Sequence, residues 1–101
     1  MNEVFHALAH DARRAMLGRL AASELTVGQL AEPFSMSLES ASKHIRVLER
    51  AGLVVRTIQG RVHNCALDAE NLRDAAAWLD RYRTFWDDTL SALAEFAENK
   101  P

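Results

Sequence analysis

The sequence predicts a mainly α-helical domain with one small β-hairpin, and three observations carry that expectation. Only four glycines and two prolines punctuate 101 residues, so most of the chain is free to run at helical spacing. One β-branched-rich stretch, residues 53–67, is interrupted at Gln59-Gly60, the pattern of two strands joined by a turn. The stretch from Asp68 onward carries apolar residues across close to half of a helical wheel, wider than one packing face requires.

The elements follow in order. Val4, Phe5 and Leu8 mark a short apolar helical turn. Asp11 is placed to cap a second helix ending near Ala22, with Met16, Leu17 and Leu20 on its apolar side. Thr26 and Gln29 have capping-box spacing for a short third helix that stops before Pro33, and residues 34–36 make the turn. Ser37 caps a fourth helix to Ala51, with Gly52 as its left-handed stop. At roughly 100° per residue, Leu38, Ala41, Ile45 and Leu48 share one arc and form the expected buried stripe. Glu39, Lys43, Arg46 and Arg50 lie opposite, flanked by Ser40, Ser42 and Val47. Residues 53–58 and 61–67 form the hairpin. Asp68 then caps a single last helix reaching about Asn99, whose breadth of apolar positions calls for a homodimer.

Composition bounds the rest. With 49% apolar and 26% charged residues, the chain is one small folded domain spanning residues 1–101. No run approaches a membrane span, and the N-terminus lacks a secretory pattern. The single cysteine, Cys65, allows no internal disulfide and fits a reducing cytoplasm. A net charge of −2 argues against bulk attraction to nucleic acid. Locally the sign reverses: residues 37–63 carry five cations against Glu39 and Glu49, a net of +3, while residues 1–36 and 64–101 come to −1 and −4. A basic helix followed by a basic hairpin on an otherwise acidic chain implies a DNA-reading head.

The same residues carry a family resemblance. Ser37, Ser42, His44, Ile45, Leu48, Ala51-Gly52-Leu53-Val54, Gly60-Arg61 and Leu67-Asp68 resemble the recognition helix and wing of the ArsR/SmtB family of bacterial repressors. Phe5-His6-Ala7-Leu8-Ala9-His10-Asp11-Ala12-Arg13-Arg14 resembles the family's junction between first and second helices. The resemblance covers nearly the whole chain. It implies a winged helix-turn-helix fold of order α-α-α-α-β-β-α, dimeric through its first and last helices. It also implies a homodimeric repressor that reads a pseudo-palindromic operator through residues 37–51, with the 53–67 wing on flanking DNA. Double-stranded DNA, a second copy and a small-molecule effector are the partners so implied; no cofactor and no enzymatic activity are expected.

Within that frame, Glu39, Ser40, Ser42, Lys43 and Arg46 are the candidate base readers, and Ser37 and Arg50 the backbone contacts. Glu39 serves either to accept from a cytosine amino group or to favour the positive helix start. Arg56, Arg61 and His63 are the wing candidates, with Arg61 foremost. His44 lies on the margin of the helix, either a DNA contact or a partner at the helix–helix seam. Val4, Phe5, Leu8, Trp78, Tyr82, Phe85, Trp86 and Leu93 are the expected dimer surface. Trp78, Tyr82 and Trp86 are spaced for packing, or for lining an apolar effector pocket.

Metal sensing lacks its ligands. Thr26 and Gly28 stand where metal-binding relatives carry a Cys-x-Cys pair, no His follows His63, and the aromatic pattern Tyr82, Phe85, Trp86 resembles the branch without an obvious metal site. Cys65 reads as a small buried thiol, with a redox switch as its alternative. A metal- or thiol-responsive sensor and a winged helix devoted to protein contacts are the rival functions.

Overall fold

Leu20, Leu30, Ile45, Leu48 and Leu53 converge at the centre of the molecule, each essentially removed from solvent. The computed structural model describes residues 1–98. In chain order the elements are α1 (Asn2–Leu8), α2 (Asp11–Ala22), β1 (Leu25–Thr26), α3 (Val27–Ala31), α4 (Leu38–Arg50), β2 (Val54–Gln59), β3 (Val62–Leu67), α5 (Glu70–Asp80) and α6 (Arg83–Glu98). Helices α1 to α4 wrap the core, and the hairpin closes one side of it.

Local chemistry sets most boundaries. Thr26 and Gln29 form the reciprocal capping box of α3, satisfying two backbone donors at once. Ser37 caps α4 by accepting from Ser40 N at 3.1 Å. Helix α4 ends at Arg50, with Ala51 as its C-cap and Gly52 at φ 74° reversing the chain. The hairpin turns at Gly60-Arg61, with Gly60 at φ 62°, and pairs Arg56 with Cys65 and Ile58 with His63.

The structure corrects several expectations. His10, not Asp11, caps α2: its Nδ1 accepts from Ala12 N at 3.1 Å, while Asp11 is the first helical residue and pairs with Arg14. The hairpin gains a third strand, since β1 pairs with β3 through Leu25↔Cys65 and Thr26↔Asn64, giving the sheet order β1-β3-β2. Two residues are too short to show a period in sequence. Leu38 is not part of the buried stripe; it is 60% exposed, because nothing packs over the first turn of α4, whereas Ala41, Ile45 and Leu48 are fully buried.

The last helix is not one rod. Arg81 N and Tyr82 N bond to Trp78 O and Leu79 O, three residues back, so the backbone tightens between α5 and α6. Ala69 is the N-cap of α5, and Asp68 instead accepts from Glu70 N at 3.1 Å. The expected end at Asn99 lies outside the described residues. Val4, assigned to the dimer surface, packs into its own core.

One element stays apart. No residue of α6 is buried, and the molecule reaches 67 Å along its long axis with a radius of gyration of 18.3 Å. A compact chain of this length has a radius near 13 Å, or roughly two thirds of that. Helix α6 projects from the domain.

Candidate nucleic-acid interface

Helix α4 presents exposed cations along one face, and the wing carries another at its tip. Ser37, Glu39, Ser40, Lys43, Arg46, Arg50 and Arg61 are exposed, and Ser42 is half-buried. The exposed positions of α4 follow from the same periodicity that buries Ala41, Ile45 and Leu48 on its other side. Lys43, Arg46, Arg50 and Arg61 form no ion pair among the described residues, so their charge is available to an anionic partner. Ser37 is occupied with capping, and its hydroxyl also donates to Ser40 Oγ at 3.2 Å. Glu39 lies in the first turn of α4, where the helix dipole favours a carboxylate.

Arg56 behaves differently from the other cations. It is largely buried, and its Nη2 donates to Glu49 Oε1 at 2.6 Å, joining β2 to the recognition helix. Its Nη1 donates to His63 Nδ1 at 3.2 Å, so His63 is directed inward to the same cluster. Arg56 and His63 are thus engaged with Glu49 and each other while still lining the groove beside Arg61, and Arg61 at the tip forms no ion pair among the described residues. Glu49 was not among the expected site residues; its partner is seven positions away across a turn, a spacing with no local signature.

His44 is held at the helix seam. Arg13, only 8% exposed, donates through Nε to Ala7 O at 2.7 Å and through Nη2 to His6 O at 3.0 Å. Its Nη1 donates to His44 Nδ1 at 3.2 Å, and the His10 ring lies 4.4 Å from the His44 ring. Burial, then His10, then Arg13 hold the His44 imidazole below its ordinary pKa of 6.5, so the neutral ring that accepts from Arg13 is favoured. Arg13 thus ties α1, α2 and α4 together and fixes how the recognition helix sits.

Other candidates divide cleanly. Cys65 is fully buried in β3, and burial pushes its thiol pKa up. Among the described residues, no three His, Cys, Asp or Glu side chains converge as a metal would require. No described helix is long and apolar enough to cross a membrane. Trp78 meets Phe5 edge-on at 5.7 Å and Tyr82 at 5.3 Å, which seats α5 on α1. Phe85, Trp86 and Leu93 remain 59–61% exposed.

A two-helix motif whose second helix presents an unpaired cationic face, backed by a basic hairpin, defines a winged helix-turn-helix DNA-binding domain. Residues 8–57 match a helix-turn-helix domain family. The transcriptional repressor SdpR of Bacillus subtilis is 32% identical over 79 residues, covering 78% of this chain and 88% of the relative. The HTH-type transcriptional regulator Rv2034 of Mycobacterium tuberculosis is 33% identical over 99 residues, covering 98% and 90%. The solved structure of the ArsR family transcriptional regulator RHA00566 matches with a TM-score of 0.78 at 44% identity, covering 85% of this chain and 89% of that one. The chain belongs to the ArsR family of winged helix-turn-helix proteins. It is a DNA-binding transcriptional regulator, and this family does not consist of enzymes.

Proposed function

We propose that the chain, a single domain over residues 1–101, acts as a homodimeric cytoplasmic repressor. Two copies of α4 enter successive major grooves of a pseudo-palindromic operator, with half-sites about one helical turn apart. Ser40, Ser42, Lys43 and Arg46 meet base edges, Arg50 meets phosphate, and Arg61 reaches flanking DNA from the wing tip. Repression follows from blocking the promoter. An effector acts by favouring a dimer whose recognition helices have the wrong spacing.

The observation that carries this reading is the row of unpaired cations along α4, on an otherwise acidic chain. The dimer is supported by surface. The chain exposes 7301 Å², against roughly 5,700 Å² for a compact monomer of its mass. The excess, on the order of 1,600 Å² per chain, is about twice the roughly 800 Å² that each partner buries in a standard interface, and α6, which has no buried residue, contributes to it.

The test is titration of the purified protein against its own promoter region by fluorescence anisotropy. The Lys43→Ala/Arg46→Ala double variant loses at least tenfold in affinity, and wild-type binding weakens steeply as salt rises. Full affinity in the double variant would remove α4 from the interface.

A further inference from the structure

Leu38 is an exposed apolar residue on a helix whose other exposed side chains are charged or hydroxyl-bearing. It is the first residue of α4, directly after the Ser37 cap, and is 60% exposed. It lines a groove of about 420 Å³ between the starts of α3 and α4 and the wing, together with Ser42 one turn on and Arg61 and Val62 opposite. Leu38 and Val62, itself 48% exposed, are apolar walls in a cleft with Arg61 beside them and Lys43 and Arg46 further along the helix.

We infer that Leu38 is a specificity-determining residue that packs against the C5-methyl group of a thymine in the operator's major groove. This rests on the DNA-binding reading above. The N-terminal part of a recognition helix is the part that reaches base edges. Leucine has neither donor nor acceptor, so pressing it against a phosphate, a guanine edge or a cytosine amino group strips water from a polar atom and returns no hydrogen bond. The thymine methyl is the apolar feature that an unmodified base pair displays in that groove. The neighbouring cations suit a polyanion rather than the apolar surface of a protein, which makes DNA the occupant of this cleft.

The experiment selects preferred sites from a pool of random-sequence duplexes using the full chain. Each thymine of the selected site is then replaced by deoxyuridine, which removes only the methyl. For wild type, one position per half-site weakens binding about threefold to fourfold, the worth of one buried methyl-sized group. Leu38→Ala is indifferent to the methyl at that position, and Leu38→Gln shifts the preference there towards adenine. Because Leu38 is exposed, both variants keep the wild-type melting temperature. Selection of a clear site with no methyl that wild type feels more than Leu38→Ala does would overturn the inference while leaving the DNA reading intact. So would a Leu38→Ala loss equal on all duplexes. Absence of any wild-type DNA binding overturns both.

Discussion

Arg56 of the wing donates to Glu49 of α4 across 2.6 Å, so the two elements proposed to contact DNA are joined by one largely buried ion pair. Two consequences of removing it have opposite sign. Glu49→Gln takes one negative charge from a segment of net +3, which by electrostatics alone tightens binding to any DNA. It also weakens the charge-assisted bond that sets the wing's angle, which harms only binding that depends on geometry. Affinity for random duplex should rise about twofold, while the ratio of specific to random affinity falls roughly fivefold to tenfold, near 1 kcal/mol. Anisotropy on both duplexes at fixed salt measures this. An equal gain on both would show that the pair does not position the wing.

Arg13 carries a second prediction. It donates to two carbonyls in the last turn of α1 and reaches His44, so Arg13→Ala removes three hydrogen bonds and leaves Ala7 O and His44 Nδ1 without that partner, while His6 O keeps the Ala9 N–H. The cost should be about 2–4 kcal/mol by urea denaturation, and Arg13→Lys should recover little, since an ammonium cannot reproduce the fork. The pH dependence follows from His44. Its folded pKa lies below the unfolded value of 6.5, so as pH falls the unfolded chain takes up the proton first. This contribution leaves stability intact above that value, lowers it as pH falls from about 6.5 towards the folded pKa, and levels off below. His44→Asn keeps an acceptor facing Arg13 and removes the titration. The difference in urea midpoint between wild type and His44→Asn should therefore change across pH 7 to 5; a constant difference would sink the assignment.

Gly52 ends the recognition helix at φ 74°, a conformation that costs an L-residue about 1–2 kcal/mol. A Cβ there would also run into the Asn71 side-chain amide, which donates to Gly52 O at 3.1 Å. Gly52→Ala should destabilise by roughly 2–3 kcal/mol, lowering Tm by on the order of 10 °C. Adding Asn71→Ala should relieve the collision and leave the backbone term, so the double variant should be more stable than the additive sum. Additivity would mean that the amide simply swings aside.

These positions show what sequence can and cannot carry. The Thr26–Gln29 box, the Ser37 cap and the Gly52 stop are legible because each is settled within four residues. The buried Ala41, Ile45 and Leu48 were legible from periodicity, but Leu38 at the same angle was not. A helical wheel assumes that the core extends along the whole helix, and the first turn of α4 overhangs it. His10 and Asp11 are adjacent groups both able to cap, and the choice falls to the backbone: His10 has the extended φ of −129° that a cap needs. The break at Arg81-Tyr82 carries neither glycine nor proline to announce it. The Arg13–His44 and Glu49–Arg56 contacts depend on segments meeting in space, so only the cationic face of the site, and not the joints that aim it, could be read in advance.

The last prediction concerns α6, which sets the proposed dimer. Phe85, Trp86, Leu90, Leu93 and Phe96 are each 59–70% exposed, a strip of large side chains that a lone domain leaves in water. Burying Trp86 between copies stabilises association by about 2–3 kcal/mol, and a carboxylate there adds desolvation on top of the lost contact. Trp86→Glu should therefore shift the protein to monomer in sedimentation at micromolar concentration. Because no residue of α6 is buried within its own chain, the domain core should keep its fold and far-ultraviolet signature. Specific DNA affinity should fall more than tenfold, since each half-site then binds independently and loses the benefit of linkage. A Trp86→Glu protein that still sediments as a dimer would place the interface elsewhere, and one that is monomeric yet binds at full affinity would show that a single head suffices.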